Sequence, residues 1–265
     1  MIKKRRHDIW LFVAAMLVAL PFVPLVLWAF AGEWQFPELL PTEWTLRGWS
    51  YLGGNRFSEA FVNSLVVGVG ATVASVAVGL PAGMAIGGYA FRAKGLVVFL
   101  VLLPVMVPPL ASTMGIHLTF IRLGLADTLL GVFLVHLIPT VPYTAIILAS
   151  VFADMTGEME EAARTLGASP FRAFLHVTLP QAVPGVAVAA LFAFLVSWSQ
   201  YILTVLVGGG SVLTLPMLLF SAASGNDPVI TSVLAVVFAL PALAALVAAL
   251  KFVRGDANLA PGRPT

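Results

Sequence analysis

The sequence of 265 residues contains no cysteine and few charged residues. Without cysteine it can form neither a disulfide framework nor a thiolate metal site. Asp, Glu, Lys and Arg make up only 10% of the residues, whereas they make up roughly a quarter of soluble domains. Hydrophobic residues make up 60%, and the mean hydropathy is +1.01. These values indicate an integral membrane protein.

Several catalytic motifs are also missing. No Gly-x-x-x-x-Gly-Lys-Ser/Thr phosphate loop occurs, and the Gly-Gly-Gly-Ser segment at 208–211 lacks the lysine. The chain therefore has no phosphate loop with which to hydrolyse ATP. Neither His-Glu-x-x-His nor Gly-x-Ser-x-Gly occurs, so an intramembrane protease or metalloenzyme lacks support. We expect a protein that is not an enzyme, with no cofactor and no bound metal.

The charged residues fall in short islands, and the apolar runs between them are long enough to cross the ~30 Å hydrocarbon core as helices. The sequence predicts an all-α membrane protein with six transmembrane helices and a cytoplasmic helix between spans four and five. A cleaved signal peptide has an apolar core of only ~7–15 residues, so the longer first run is interpreted as an uncleaved span. The six predicted spans are residues 9–31, 61–91, 95–120, 128–153, 183–207 and 229–253.

The basic residues predict the orientation of these spans. If the N-terminus is cytoplasmic, only Arg47, Arg56 and Arg122 of the 14 lysines and arginines lie outside, which leaves eleven inside. This bias follows the positive-inside rule and places both termini in the cytoplasm, together with the polar loop 154–180. The pI of about 9.2 arises from such membrane-flanking residues, so it does not indicate binding of nucleic acid.

The polar loop 154–180 interrupts the apolar sequence between spans four and five. Its first part predicts a short helix from Glu158 to Leu166, because glutamates fill the first two turns, where the helix dipole favours negative charge. Gly167 is a natural left-handed residue to end that helix. Ser169 can cap a second helix that has Pro170 at its first position. The pattern predicts two short helices that meet at a sharp bend on the membrane surface.

The loop has a specific sequence order: Glu-Ala-Ala at 161–163, glycine at 167, and Val-Thr-Leu-Pro at 177–180. This order resembles the EAA loop of membrane subunits of binding-protein-dependent ABC importers, although Val177 stands where isoleucine is commoner. The resemblance implies a type I permease in which this loop is the coupling helix that docks on a separate ATPase. The implied ATPase contacts are Glu161, Ala162, Ala163, Gly167, Ser169, Leu179 and Pro180.

The resemblance also implies partners and a location. The expected partners are ABC ATPase subunits, a second permease chain that is identical or paralogous, an extracytoplasmic solute-binding protein and the lipid bilayer. The implied location is the cytoplasmic (inner) membrane of a prokaryote. In this scheme residues 1–60 form a cytoplasmic segment, the first transmembrane helix and an outer loop. Residues 61–253 form the permease core with the coupling loop, and residues 254–265 form a cytoplasmic tail.

Polar side chains within the spans suggest where a solute would pass, because such side chains usually face the bundle interior. The richest cluster is 197–201, with Thr204. Gln200 stands out, since a buried amide needs up to four hydrogen-bond partners. For a single serine or threonine, an interhelical hydrogen bond is the alternative role. The candidate pathway residues are Asn63, Tyr143, Ser197, Gln200 and Tyr201.

The order of short motifs after span five bears on the solute. Gly-Gly at 208–209, Leu-Pro at 215–216 and Asn-Asp-Pro at 226–228 are more similar to the polyamine, thiamine, phosphonate and iron permeases than to the sugar permeases. Polyamine permeases tend to place carboxylates near Ser199 and Gln200, and this sequence has none there. The expected solute is a small organic molecule or an ion, with a sugar less favoured.

Two other functions can be weighed against this one. A secondary transporter ordinarily has ionisable residues inside its spans. Here the predicted spans contain no Asp, Glu, Lys or Arg apart from Lys251 near the end of the last one. A haem-binding membrane subunit could use His117 and His136 as axial ligands. A buried, hydrogen-bonded histidine is the competing interpretation of each.

Overall fold

The computed structural model describes residues 16–17, 20–32, 34 and 38–257. Within them the chain is helical, and the one β pairing is an isolated bridge between Ala31 and Trp44. Two short helical turns, Arg47–Ser50 and Tyr51–Gly53, precede the main bundle. The helices are α1 (Phe22–Ala29), α2 (Asn55–Gly88), α3 (Lys94–Met106), α4 (Pro109–Arg122), α5 (Leu129–Ala153), α6 (Glu158–Thr165), α7 (Pro170–Trp198), α8 (Ile202–Gly208), α9 (Leu215–Ser224) and α10 (Pro228–Ala257).

Four of these helices are long and apolar enough to cross a membrane: α2, α5, α7 and α10. They confirm the all-α membrane class and correspond to the second, fourth, fifth and sixth predicted spans. Residues 9–15 and 18–19 of the first predicted span lie outside the described residues, as does the tail from 258 onwards. The described part of that span contains α1, which packs its buried Ala29 against Val233 and Val237 of α10.

Helices α2 and α5 meet along a row of glycines in α2. A Cβ atom at Gly83 would lie 2.6 Å from the Cβ of Leu148, and one at Gly79 would collide with the hydroxyl of Thr144. Gly87 meets the backbone of Ala149 in the same way. Small residues four positions apart let two membrane helices approach backbone to backbone.

The third predicted span is divided into α3 and α4. Pro104 is accommodated inside α3, whereas Val107 and Pro108 are extended, with ψ angles of 128° and 129°. A residue that precedes proline is driven out of the helical region, and both Val107 and Pro108 precede a proline. Each half has fewer than the 18 residues of a spanning helix.

The fifth predicted span, residues 183–207, differs from the structure at both ends. Helix α7 begins at Pro170, inside the polar loop, and ends at Trp198. Residues 199–201 then separate it from α8. The Leu195 carbonyl at the end of α7 accepts from both the hydroxyl of Ser199 at 2.8 Å and its backbone N–H at 3.1 Å. No proline or glycine lies at 199–201, so the sequence contains no local signal for the break.

Trp198, the last residue of α7, is the centre of an aromatic cluster. Its ring stacks on Phe194 and on Phe238 of α10, with centroids 5.5 Å and 5.7 Å away, and Phe61 of α2 meets its edge. Its indole Nε1 donates to the Phe238 carbonyl at 2.9 Å. The indole is 2% exposed, so the end of α7 is fixed against both α2 and α10.

Asp227 caps the N-terminus of helix α10. Asp227 Oδ1 accepts from the backbone N–H groups of Val229 and Ile230, both at 3.1 Å. The same oxygen lies 3.3 Å from a guanidinium nitrogen of Arg47. Helix α9 lies between the fifth and sixth predicted spans, where the sequence predicts no helix, and it has Pro216 in its first turn.

Candidate functional site

Helix α6 forms the front of the polar loop. It starts after Gly157, whose φ of 74° turns the chain out of α5, and it has Glu158, Glu160 and Glu161 in its first turn. These carboxylates face the positive end of the helix dipole, and Arg164 lies in the last turn at the negative end. The charges therefore favour this short helix, which the sequence predicts to within one residue.

The bend after α6 is a Schellman turn. The N–H of Gly167 donates to the Arg164 carbonyl and that of Ala168 to the Ala163 carbonyl, both at 3.0 Å. Gly167 has a φ of 93°, a left-handed conformation that a residue with a Cβ atom adopts only at a cost. Ser169 then accepts from the N–H of Arg172 at 3.4 Å and starts α7. The bend and the cap confirm the predicted local structure, but the prediction that the second helix is short is wrong, because it continues past Pro180 to Trp198.

The outward side of the loop is exposed. We call residues Glu161, Ala162, Leu166, Gly167 and Phe171 the loop apex. Leu166 is 90% exposed and Phe171 is 70% exposed, although both are large and apolar. Exposed apolar side chains next to a carboxylate are typical of a surface that a partner covers.

The inward side of the loop is bonded to α7. Glu160 is half-buried, and its Oε2 accepts a hydrogen bond of 2.6 Å from the hydroxyl of Thr178, which is 8% exposed. Gln181 Nε2 donates to the Val177 carbonyl at 3.0 Å, one turn away. A cavity of about 400 Å³ lies behind α6, and its lining includes Met84, Tyr89, Phe152, Glu160, Arg164 and Gln181.

Thr178 belongs to a wide turn in α7. Residues Phe174–Thr178 form a π-helical turn, in which the N–H of Leu179 reaches the Phe174 carbonyl five residues back. Pro180 follows and has no N–H to continue the α-helical pattern, which accounts for the wide turn at this place. Of the two last predicted coupling residues, Leu179 is half-buried and Pro180 is exposed. Both lie within helix α7 and not at the loop apex.

The five candidate pathway residues fall in three places. Ser197, Gln200 and Tyr201 surround the break between α7 and α8, and the Tyr201 ring stacks on Phe220 with centroids 4.1 Å apart. Asn63 donates to the Leu213 carbonyl at 2.9 Å and so joins α2 to the segment before α9. Tyr143 is on α5, with 37% of its surface exposed.

Around Ser197 the structure contains a buried polar network. His136 is 2% exposed; its Nδ1 lies 2.7 Å from the Ser197 hydroxyl and its Nε2 lies 2.9 Å from the Thr204 hydroxyl. Thr140 donates to the His136 carbonyl at 2.8 Å and its oxygen lies 2.6 Å from that of Ser75 on α2. Both ring nitrogens of His136 are engaged, so neither is free to bind haem iron. His136 is the hydrogen-bonded histidine of the competing interpretation.

The sequence alone does not single out Ser75, Glu160 or Thr178 as site residues. Ser75 and Thr140 are 65 positions apart, and Glu160 and Thr178 are 18 apart. Neither separation is the three or four positions that bring two side chains together on one helix, so the sequence alone does not pair these residues. Thr178 occupies the variable position of the Val-Thr-Leu-Pro segment, so the motif itself gives no signal for it.

Known proteins are similar to this chain in sequence. A family model described as "Binding-protein-dependent transport system inner membrane component" matches residues 79–254. The trehalose transport system permease protein of Mycobacterium tuberculosis is 29% identical over 206 residues, which cover 75% of each chain. The putrescine transport system permease protein of Escherichia coli is 27% identical over 226 residues, which cover 80% of this chain and 78% of that one.

A solved structure extends the likeness to nearly the whole chain. The bacterial ABC transporter involved in the import of the acidic polysaccharide alginate contains a chain that superposes with a TM-score of 0.71. Its sequence identity is 18%, and the superposition covers 94% of this chain and 96% of that one. The names of these relatives include a sugar and a polyamine. They therefore give no support to the expectation that a sugar is the less favoured solute.

Proposed function

This chain belongs to the family of binding-protein-dependent transport system inner membrane components, and we propose that it is the permease subunit that forms half of the solute pathway in an ATP-driven importer. In this proposal the energy comes from a separate ATPase, which contacts the permease at the loop apex. The proposal goes beyond family membership, which by itself makes the chain a multi-pass transport permease and not an enzyme.

The observation that supports this proposal best is the two-sided construction of the polar loop. Its outward side exposes Glu161, Ala162 and Leu166, and its inward side is bonded to α7 through Glu160 and Thr178. A partner that pushes on the outward side would thus act on α7 directly. A merely solvated loop needs neither the exposed leucine nor the buried bond.

Helix α7 connects the proposed ATPase contact to the proposed pathway. It has 29 residues from Pro170 to Trp198, so at about 1.5 Å per residue it is about 43 Å long. One end is the polar loop, and the other adjoins Gln200. ATP-driven closure of the ATPase would tilt this rod and shift the bundle between inward-open and outward-open states. The ATPase would bias a two-state equilibrium because it fits the two states differently.

The proposed assembly has two permease chains, two ATPase subunits and an extracytoplasmic solute-binding protein. A solved alginate ABC transporter, in complex with a periplasmic protein bound to alginate pentasaccharide, has a chain with this fold at a TM-score of 0.65 and 14% identity. In the membrane we propose six crossings, with α3 and α4 as one interrupted crossing and both termini in the cytoplasm. The eleven basic residues on that side support this orientation.

The proposed pathway suits a polar solute without a high positive charge. Its candidate side chains are an amide at Asn63 and Gln200, a phenol at Tyr143 and Tyr201, and a hydroxyl at Ser197. None is a carboxylate, which a polycation would need as a counter-charge. Sugars belong to the class of solutes that such side chains bind, so this proposal includes them.

Copurification tests the proposal. The full chain is isolated from its native membrane with a terminal tag, and the bound chains are identified by mass spectrometry. We expect a chain with a Gly-x-x-x-x-Gly-Lys-Ser/Thr phosphate loop and a second permease. The variant Gly167→Pro should insert normally and lose the ATPase, because proline cannot adopt a φ of 93° and removes the N–H that bonds Arg164. Wild-type protein that retains no ATPase would refute the proposal.

A further inference from the structure

The break between α7 and α8 is bridged by a single side chain from another helix. His136 of α5 contacts Ser197, just before the break, and Thr204, just after it, at 2.7 Å and 2.9 Å. Ser199, Gln200 and Tyr201 lie between the two contacts. We call His136, Ser197 and Thr204 the clasp. Because both bonds come from one rigid ring, the clasp fixes the distance between the last turn of α7 and the first turn of α8.

The directions of the hydrogen bonds in the clasp can be assigned. The Thr204 hydroxyl donates its one hydrogen to the backbone carbonyl of Gln200 at 2.8 Å. Thr204 must then accept from His136, so Nε2 of the ring is protonated. In the neutral imidazole Nδ1 has no hydrogen and accepts from Ser197. The chain of donors runs from Ser197 through His136 and Thr204, and it ends at the backbone of Gln200.

Burial raises the energetic cost of breaking any of these hydrogen bonds. The exposed fractions are 2% for His136, 3% for Ser197 and 0% for Thr204. A polar group that loses its partner at such a place keeps the full cost of desolvation. A different angle between α7 and α8 would break at least one of the bonds, so the clasp selects one conformation of the break.

Two further contacts hold the same region. Tyr201 stacks on Phe220 of α9, and the carbonyl of His136 accepts from Thr140, which in turn contacts Ser75 of α2. The break is therefore fastened to α2, α5 and α9 together. Gln200 itself is half-buried, and its backbone rather than its side chain is what the clasp binds.

We propose that His136 is a positioning residue of the transport pathway: through Ser197 and Thr204 it holds the 199–201 break in one conformation and so sets how Gln200 and Tyr201 are presented to the solute. This inference rests on the proposed function for the role of the pathway. The conformation of the break is a property of this chain alone and can be measured without solute, ATP or partner.

The absence of native cysteine provides the test. Gln200→Cys keeps the backbone carbonyl that the clasp binds and adds the only thiol of the chain. In native membranes, the rate at which this thiol reacts with a membrane-impermeant methanethiosulfonate reagent reports how far position 200 is open to water. Thr204→Val keeps the shape of the side chain and removes its hydroxyl, whereas Thr204→Ser retains the hydroxyl.

We expect Thr204→Val to raise the reaction rate of the thiol at position 200 by about three- to tenfold, the change in population that follows the loss of a net hydrogen bond. Ser197→Ala removes the hydroxyl at the other end of the clasp and should give a similar rise in rate. Either variant can test the inference if the other fails to accumulate. Thr204→Ser should restore the original rate. Ser58→Cys, made at an exposed site in a chain that retains Gln200, should react at the same rate in all these backgrounds.

An unchanged rate at position 200 in both Thr204→Val and Ser197→Ala would overturn the inference. So would a rise that Thr204→Ser does not reverse, or an equal rise in the Ser58→Cys control, since either would mean general loosening of the bundle. The outcome is separable from that of the proposed function. If no ATPase copurifies but the clasp variants behave as expected, the proposed function fails and the clasp stands. If the ATPase copurifies but the clasp variants leave the reaction rate at position 200 unchanged, the proposed function stands and the clasp is refuted.

Discussion

The carboxylate of Glu160 accepts a hydrogen bond of 2.6 Å from the hydroxyl of Thr178, across the bend between α6 and α7. Thr178 lies in the π-helical turn of α7, and Glu160 is on the inward side of α6. Hydrogen bonds to a charged group are worth about 1.5–3 kcal/mol, which is more than other single contacts in a surface loop. We propose that this bond is the main link by which a force on the loop apex reaches α7, beside the weaker contact of Gln181 Nε2 with Met159 Sδ at 3.5 Å.

The first prediction concerns this link. Thr178→Val keeps the volume of the side chain and leaves Glu160 without its donor, so α6 can move without moving α7. We expect solute uptake to fall about tenfold, in line with the bond energy, while ATP hydrolysis by the assembled complex persists. The ratio of ATP hydrolysed to solute imported in proteoliposomes measures the effect.

Two matched variants control this experiment. Thr178→Ser retains the hydroxyl and should keep near-normal coupling. Thr119→Val makes the same substitution on α4, where the hydroxyl bonds only within its own helix, to Gly115, and should be silent. Equal uptake by Thr178→Val and Thr119→Val would remove Glu160 and Thr178 from the coupling route.

A second prediction compares two glycines with positive φ. Gly167 at the loop bend has a φ of 93° and Gly124 between α4 and α5 has a φ of 67°, and a Cβ atom would meet nothing at either position. Alanine at either position should lower the free energy of unfolding by about 1–2 kcal/mol, because a Cβ atom strains the left-handed backbone. Only Gly167→Ala should impair uptake, because only that bend sets the position of the loop apex. Thermal unfolding in detergent should show similar losses for both, and a similar loss of uptake in both would contradict the prediction.

A third prediction concerns the contact between α2 and α5. Gly83→Ala would place its Cβ 2.6 Å from that of Leu148, whereas nothing lies within 4 Å of a Cβ at Gly88. We expect Gly83→Ala to lower the free energy of unfolding by about 1–3 kcal/mol, the usual cost of overpacking, and Gly88→Ala to change it little. The midpoint of thermal unfolding of the purified variants checks this. A smaller loss for Gly83→Ala than for Gly88→Ala would show that the helices do not meet here.

The sequence was sufficient for features that depend on local chemistry. Thr128 precedes α5 and caps it by accepting from the N–H of Gly131 at 3.0 Å, at the position where the predicted fourth span begins. The bend at Gly167 and the cap at Ser169 were also predicted, because φ > 0 and an N-cap each favour few residue types. The interruption of the third span at Pro108 also depends on local chemistry, because a residue that precedes proline leaves the helical region.

Features that depend on distant contacts could not be predicted. The break after Trp198 follows no proline or glycine, and what holds it is His136, more than 60 positions earlier in the chain. Hydropathy alone also hid the continuity of α7 from Pro170 to Trp198, because the polar residues of the loop separate that helix into two apparent segments. Glu160 differs from its exposed neighbour Glu161 only in the face of α6 on which it lies, and that depends on where α7 packs.

The most direct test of the central claim is a crosslink from the loop apex to the ATPase. Leu166 is 90% exposed, and Leu166→Cys in this cysteine-free chain supplies one reactive thiol for a maleimide reagent whose other end captures lysine. We predict that the thiol of Leu166→Cys is joined to the ATPase subunit in native membranes and that the thiol of Ser58→Cys, at an exposed site away from the loop, is not. Crosslinking of the ATPase to neither variant, or to Ser58→Cys and not to Leu166→Cys, would contradict the assignment of this loop as the point where ATP drives transport.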